Sequence, residues 1–121
     1  MTRILDIGTK RFTKIEVTDE PGPGGACHTY EVNPVKVPVP GRMERLCIGF
    51  QKGPVGEVGL NGIFMEDLIA ICIDRLQAFQ SGDYACEENQ NTLDSLQMAL
   101  KYLNQRTEDR IHRGVEGKNE L

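Results

Sequence analysis

The sequence is poor in the residues with which many enzymes do chemistry. Its 121 residues include no tryptophan and only 2 histidines, His28 and His112. It has no Gly-x-Ser-x-Gly motif, no phosphate-binding glycine loop followed by Lys-Ser or Lys-Thr, and no His-rich cluster. Adjacent acids such as Glu66 and Asp67 point about 100° apart on a helix, so they cannot flank one bond. We therefore expect no catalytic residue, no metal site and no cofactor.

Long apolar runs, paired cysteines and excess positive charge are also missing. No run approaches the roughly 18 apolar residues that cross a membrane, and the first residues lack an apolar stretch of signal-peptide length, so we expect a soluble chain with no membrane partner. The 4 cysteines form no CxxC pair, which predicts reduced thiols, and Cys72 lies in an apolar helical run typical of a small buried hydrophobe. The net charge of -4 argues against binding to polymeric DNA or RNA. A small anion can still bind locally.

The first half of the chain has the pattern of short strands separated by loops. Apolar and polar residues alternate in brief stretches bounded by glycine and proline, which predicts strands near residues 4–7, 12–17, 28–32 and 45–50. Residues 33–41, NPVKVPVPG, are too rich in proline for a central strand and predict an extended edge or connection. Glycines and a proline predict a loop over residues 51–62.

The second half has helical periodicity. From Ile63 to Phe79, apolar residues recur at spacings of three and four. The SGD stretch that follows stops this helix, with Gly82 suited to a left-handed cap and Asp83 suited to starting the next helix. That second helix ends before Gly114 and carries one apolar stripe, formed by Leu93, Leu96, Leu100 and Leu103. Because the connection is short, the two helices are predicted to pack as an antiparallel hairpin.

These patterns predict an α+β fold in which short N-terminal antiparallel strands precede a long antiparallel two-helix hairpin. The length of 121 residues is typical of a single domain. We expect a strand-rich part at 1–60, the helical hairpin at 61–114 and a flexible polar tail at 115–121.

Three arginines near the end of the second helix stand out. Arg106, Arg110 and Arg113 are separated by four and three residues, which places them on one stripe of a helix. Guanidinium groups bind phosphate oxygens with paired donors, so this stripe suits a pyrophosphate or phosphodiester. The alternative is a solvated helix end in which the arginines pair with Glu108 or Asp109.

An aromatic ring and an amide are predicted to meet at the hairpin turn. Phe79 ends the first helix and Asn89 lies near the start of the second. A nucleotide site often combines an aromatic platform with an amide that hydrogen-bonds the base edge. In the alternative interpretation, Phe79 is a core residue that closes the hairpin and Asn89 is an ordinary exposed polar residue.

Three blocks of the sequence resemble a known family. They are FTKIEVTDEPGPGGACHTYEV, FQKGPVGEVGLNGIFMEDLIAICIDRLQAFQSGDYACEEN and ALKYLNQRTEDRIHRGVEG. Together they resemble the phage Thoeris anti-defence sponges, which share a helical hairpin with the phage anti-CBASS sponges. The resemblance implies a non-enzymatic protein, acting in the cytoplasm of an infected bacterium, that sequesters cyclic ADP-ribose isomers made by immune TIR enzymes. Some members also bind cyclic di- or trinucleotides.

The resemblance also implies a ligand site. The family's contacts correspond to Phe79 as ring platform, Asn89 as polar reader, and Arg106 and Arg110 as phosphate contacts, and geometry adds Arg113. On one helix, Asn89 and Arg106 are about 25 Å apart, so one compact nucleotide can reach both only where two subunits meet. This agrees with the dimeric and hexameric assemblies of the family.

Two other functions compete with sequestration. A phosphodiesterase or glycohydrolase of the same ligands would need a general base near the arginines, where Glu108, Asp109 and His112 are the candidates. Alternatively, the hairpin is a structural oligomerisation module that docks an acidic partner through its arginines.

Overall fold

The chain forms a small sheet followed by helices in a computed structural model that describes residues 2–35 and 41–118. The strands are β1 (Arg3–Ile4), β2 (Thr13–Val17), β3 (Thr29–Pro34) and β4 (Leu46–Gly49), and the helices are α1 (Val55–Val58), α2 (Met65–Gln80) and α3 (Glu87–His112). The α+β prediction is therefore confirmed.

The described residues group into two compact units. The first contains the chain up to Gly53 together with Val58–Ile63, and the second contains Pro54–Glu57 and the chain from Phe64 onward. The single domain expected from the sequence stays a prediction.

The strands of the first unit form one antiparallel sheet in the order β1-β2-β3-β4. Ile15 lies opposite Val32, and Tyr30 lies opposite Ile48. Alternation along β2 turns Val17 inward, where its side chain is 0% exposed. β3 runs two residues further than expected, through Asn33 and Pro34, and the rest of the proline-rich segment at 36–40 lies outside the described residues.

Asp19 organises the glycine-rich turn between β2 and β3. Its carboxylate accepts hydrogen bonds from the backbone N–H of His28 at 2.9 Å and of Thr29 at 3.2 Å. The Cys27 thiol donates to the Asp19 carbonyl at 3.5 Å. Burial raises the pKa of the Asp19 carboxyl, but the hydrogen bonds from His28 and Thr29 and the nearby His28 ring lower this pKa by more. Its net pKa therefore lies below the ordinary value.

The segment 51–62 was predicted to be a loop, and part of this prediction is wrong. Val55–Val58 forms the short helix α1, because Gly53 and Gly59, both at positive φ, let the chain turn sharply on either side of it. Two amide side chains close the segment. Asn61 bonds both the N–H and the carbonyl of Lys52 at 2.8 Å, and Gln51 bonds Gly59 and Asn61, also at 2.8 Å.

In the second unit, α2 and α3 pack as the predicted antiparallel hairpin. Among the described residues of this unit, the buried hydrophobic side chain is that of Leu93 in α3, which is 6% exposed. Ile71 and Cys72 belong to the predicted apolar run of α2, yet both are exposed in the single chain. This helical pair therefore leaves much of its apolar surface open.

The hairpin turn differs from the prediction in its caps. Gly82 does not adopt the left-handed conformation, because its N–H donates to the Phe79 carbonyl at 3.2 Å and tightens the end of α2. Cys86 rather than Asp83 caps α3, and its sulfur accepts the Asn89 N–H at 3.4 Å. The Gln80 side chain of α2 holds Cys86 in place, so the start of α3 is set by the other helix.

The chain continues beyond α3 into a turn formed by residues 114–118, which we call the C-terminal turn. Gly114 is at positive φ, its N–H donates to the Ile111 carbonyl at 3.0 Å, and the Val115 N–H donates to the Arg110 carbonyl at 2.9 Å. This is the Schellman arrangement, which satisfies the last carbonyls of a helix. Part of the segment expected as a flexible tail thus has defined hydrogen bonds, and residues 119–121 lie outside the described residues.

The Asp19 hydrogen bonds predict a pH-dependent contribution to stability. A carboxyl whose pKa is lowered by folding stabilises the fold above its unfolded pKa of about 3.9, and this effect is lost as the pH falls through the folded value. We expect Asp19→Asn to lower the midpoint of thermal unfolding by a few degrees at about pH 7, as measured by circular dichroism. The difference from wild type should shrink as the pH approaches about 3.

Glu20→Gln is the matched control, because Glu20 is the next residue along the chain and is exposed. We expect this variant to unfold like wild type at both pH values. An Asp19→Asn deficit of equal size at both pH values would contradict the role of the Asp19 charge.

Candidate functional site

The residues selected from the sequence fall into two groups at the ends of α3. Phe79 and Asn89 lie at the hairpin turn, which we call the tip, and Arg106 and Arg110 lie near the other end. Because Glu87–His112 is one continuous helix, Asn89 and Arg106 are separated by about 25 Å of helical rise. The structure therefore brings together the residues within each group but not, within one chain, the two groups.

At the tip, Tyr84 links Phe79 and Asn89. The rings of Phe79 and Tyr84 meet edge to face, with centroids 6.2 Å apart and an interplanar angle of 68°. The Asn89 side-chain amide donates to the Tyr84 carbonyl at 3.1 Å. Phe79 is half-buried while Tyr84 is 78% exposed, so the tip presents aromatic surface to solvent.

A cation covers part of the Phe79 ring. The guanidinium carbon of Arg75 lies 5.4 Å from the ring centroid, within the range of a cation–π contact. Arg75 is four residues before Phe79, so both side chains lie on the same face of α2. A planar group that stacks over the same part of the Phe79 ring must first displace the Arg75 guanidinium.

Gln80 holds the tip in shape. Its amide nitrogen donates to the Cys86 carbonyl at 3.1 Å and to the Gln90 side chain at 3.2 Å, and its amide oxygen accepts the Cys86 N–H at 3.0 Å. These bonds connect the end of α2 with the start of α3. The positions of Tyr84 and Asn89 thus depend on the hydrogen bonds of the Gln80 side chain.

The three arginines share a stripe but have different surroundings. Arg106 is exposed and makes no ion pair with the part of the chain that the structure describes. The Arg113 Nε lies 3.0 Å from an Asp109 carboxylate oxygen, one helical turn away. Arg113 therefore forms the ion pair that the alternative interpretation, a solvated helix end, predicts. Arg106 is open to an external anion.

Arg110 is held by the C-terminal turn. Its Nη2 donates to the carbonyl of Val115 at 2.9 Å and to the carbonyl of Lys118 at 3.0 Å, and its Nε lies 3.5 Å from a Glu116 carboxylate oxygen. The side chain is 21% exposed, so part of it stays accessible. Two of these partners are neutral carbonyls, which orient the guanidinium without cancelling its charge.

An open groove of about 510 Å³ runs between α2 and α3. Polar side chains of α3 form most of its walls, and each helix adds one apolar residue. The lining residues are Ile73, Gln97, Leu100, Lys101, Asn104, Gln105 and Glu108. None of the residues selected from the sequence as a ligand contact lines it.

Several residues at these sites were missed in the sequence. Arg75 could have been found from its spacing of four residues to Phe79. Tyr84 and Gln80 act through the geometry of the turn, which leaves no periodic signal. Glu116 follows α3 in a polar segment that was expected to be flexible. No sequence pattern therefore predicted its contact with Arg110.

Within residues 2–35 and 41–118, no group of three or more His, Cys, Asp or Glu side chains could hold a metal ion. Over the same ranges, no helix has the length and apolar character needed to cross a membrane.

Comparison with known proteins identifies the family. Residues 44–108 match the family described as "Acb2/Tad1, hairpin domain". Over 73 residues, the chain is 51% identical to the protein named "Thoeris anti-defense 1" from Bacillus phage SBSphiJ7. That alignment covers 60% of this chain and 51% of the relative, so the chain spans about half the relative's length. The resemblance seen in the sequence is confirmed, and the chain belongs to the Acb2/Tad1 hairpin family that includes this phage Thoeris anti-defence protein.

Proposed function

We propose that this protein is a phage anti-defence protein that binds cyclic ADP-ribose-type signalling nucleotides and withholds them from the Thoeris effector without cleaving them. It acts in the cytoplasm of the infected bacterium, where those signals are made. The relative's name, "Thoeris anti-defense 1", supports the anti-Thoeris role. The distribution of ligand-type residues along α3 supports the binding mechanism.

The observation that carries this proposal is the separation of two incomplete half-sites by one rigid helix. The tip offers an aromatic ring and an amide, and the other end of α3 offers Arg106 and Arg110. Because about 25 Å of helix separates them, a compact nucleotide reaches both only if the tip of one protomer lies beside the arginine end of another. The ligand site is therefore shared between subunits.

Exposed apolar side chains on the hairpin support such an assembly. Met98 is 47% exposed and Tyr102 is 62% exposed, and because they are four residues apart they share one face of α3. Ile71 of α2 is 57% exposed. Burial of such side chains against a second copy would contribute the hydrophobic stabilisation that the single hairpin lacks, in a homodimer or a homohexamer.

Each group at the two ends has a distinct role in this site. Phe79 provides a ring on which the adenine base stacks, and the Asn89 amide hydrogen-bonds a polar edge. Arg106 and Arg110 bind the phosphate oxygens with charge-assisted hydrogen bonds, and Arg113 extends the positive stripe. Since Arg113 is paired with Asp109 and Arg110 with Glu116, Arg106 is the most open phosphate contact in this proposal, and Arg110 is the one already held in a fixed orientation.

Sequestration fits the acidic groups near the arginines better than catalysis does. Asp109 is engaged with Arg113 and Glu116 with Arg110, so both carboxylates already have cationic partners. A general base must be within hydrogen-bonding reach of the proton that it removes from the substrate. In this proposal the ligand is held and released chemically intact.

The first test removes the open phosphate contact. We expect Arg106→Ala to weaken the binding of a cyclic ADP-ribose isomer roughly 10- to 100-fold, because it removes a charge-assisted hydrogen bond to phosphate. Isothermal titration calorimetry measures the affinity, and light scattering checks that the assembly is unchanged. Lys101→Ala is the matched control, since it removes the same charge from an exposed position of α3 and should bind like wild type. Equal affinity of wild type and Arg106→Ala would refute the site.

The second test distinguishes sequestration from its competitors. Protein saturated with a cyclic ADP-ribose isomer is denatured by heat, and the released small molecules are analysed by mass spectrometry. We expect the cyclic ligand to be recovered intact. A linear or hydrolysed product would identify an enzyme, and the absence of any specific binding heat would favour a docking module. The same titration with cyclic di- and trinucleotides tests whether the ligand range extends to CBASS signals.

A further inference from the structure

The role of α1 becomes apparent at its contact with the C-terminal turn. The Gly56 N–H donates to the Gly117 carbonyl at 2.7 Å. A Cβ atom built on Gly56 would lie 2.5 Å from that same oxygen, which is closer than side chains tolerate. Gly56 therefore permits a backbone approach that any other residue would push apart.

The C-terminal turn connects this contact to Arg110. Gly117 lies between Glu116 and Lys118, and the carbonyls of Val115 and Lys118 both accept hydrogen bonds from the Arg110 Nη2. A further bond inside the turn, from the Lys118 N–H to the Val115 carbonyl at 3.1 Å, keeps these two acceptors together. A displacement of Gly117 would therefore move the groups that orient the guanidinium.

We propose that Gly56 is a positioning residue for phosphate binding, because it fixes the C-terminal turn whose carbonyls hold the Arg110 guanidinium in a binding orientation. This inference rests on the proposed function, in which Arg110 contacts a phosphate of the nucleotide. It also assigns a role to Pro54–Glu57, which present the Gly56 N–H to the turn.

The energetic basis is preorganisation. A long side chain that is free in solution loses rotamer entropy when a ligand immobilises it. Arg110 has lost much of that freedom before ligand arrives, because two carbonyls and the Glu116 carboxylate already restrain it. Loosening the turn returns this freedom and weakens the binding of phosphate, although no group that contacts ligand has been removed.

Gly56→Ala tests the inference. Alanine favours helix more than glycine, so α1 itself is not strained, and only the contact with Gly117 is disturbed. We expect the dissociation constant for a cyclic ADP-ribose isomer to rise roughly 2- to 12-fold. Gly49→Ala is the matched control, since a Cβ there meets nothing within 4 Å, and it should bind like wild type.

A double-mutant cycle distinguishes positioning from a general structural effect. In an Arg110→Ala background, Gly56→Ala should cause no further loss of affinity, because the side chain that it positions is gone. An equal loss in both backgrounds, or no loss in either, would overturn the inference. The Arg110 Nε–H resonance offers a ligand-free readout, and it should broaden or shift in Gly56→Ala but not in Gly49→Ala.

The two proposals fail in different ways. If wild type binds no cyclic ADP-ribose isomer, the proposed function is wrong. If wild type binds and Gly56→Ala binds equally well, only the positioning role of Gly56 is wrong.

Discussion

The ladder of backbone hydrogen bonds that keeps α3 continuous is the constraint on which the rest of the candidate site depends. An unbroken helix from Glu87 to His112 acts as a spacer, because its rise per residue cannot shorten without breaking those bonds. The aromatic tip and the arginine end can therefore never approach each other within a protomer. Each end must be ordered by its own neighbours, Gln80 and Tyr84 at one end and the C-terminal turn at the other.

The arginine end shows how one stripe of identical residues can serve separate purposes. Arg113 forms a surface ion pair with Asp109, a type of contact that contributes little to stability. Arg110 is oriented mainly by neutral carbonyls, and Arg106 is exposed. The functional and structural interpretations of the stripe are thus compatible, because they apply to different members of it.

Local periodicity explains which features could be predicted from the sequence. The alternation in Thr13–Val17 and the spacing of leucines in α3 each express the geometry of one element, so the strands and helices were found within a few residues. α1 was missed because its glycine-rich sequence resembles a loop. The cap at Cys86 was missed because it depends on Gln80 of the other helix.

In the candidate site too, the sequence predicts the features set by local geometry and misses those that depend on distant partners. Phe79 and Asn89 were placed near each other because a short turn forces proximity, and the structure adds Tyr84 as the link between them. The partners of Arg110 are backbone carbonyls of Val115 and Lys118, and every residue type carries a carbonyl. No sequence pattern distinguishes the carbonyls that point at a guanidinium from those that do not.

The way Gln80 joins the two helices has a consequence for how the tip can vary. Three of its hydrogen bonds cross the turn, and two of them go to the backbone of Cys86, while the Tyr84 side chain between them packs against Phe79. Substitution of Tyr84 can therefore change the surface that the tip presents while the Gln80 bonds to the Cys86 backbone continue to join the two helices.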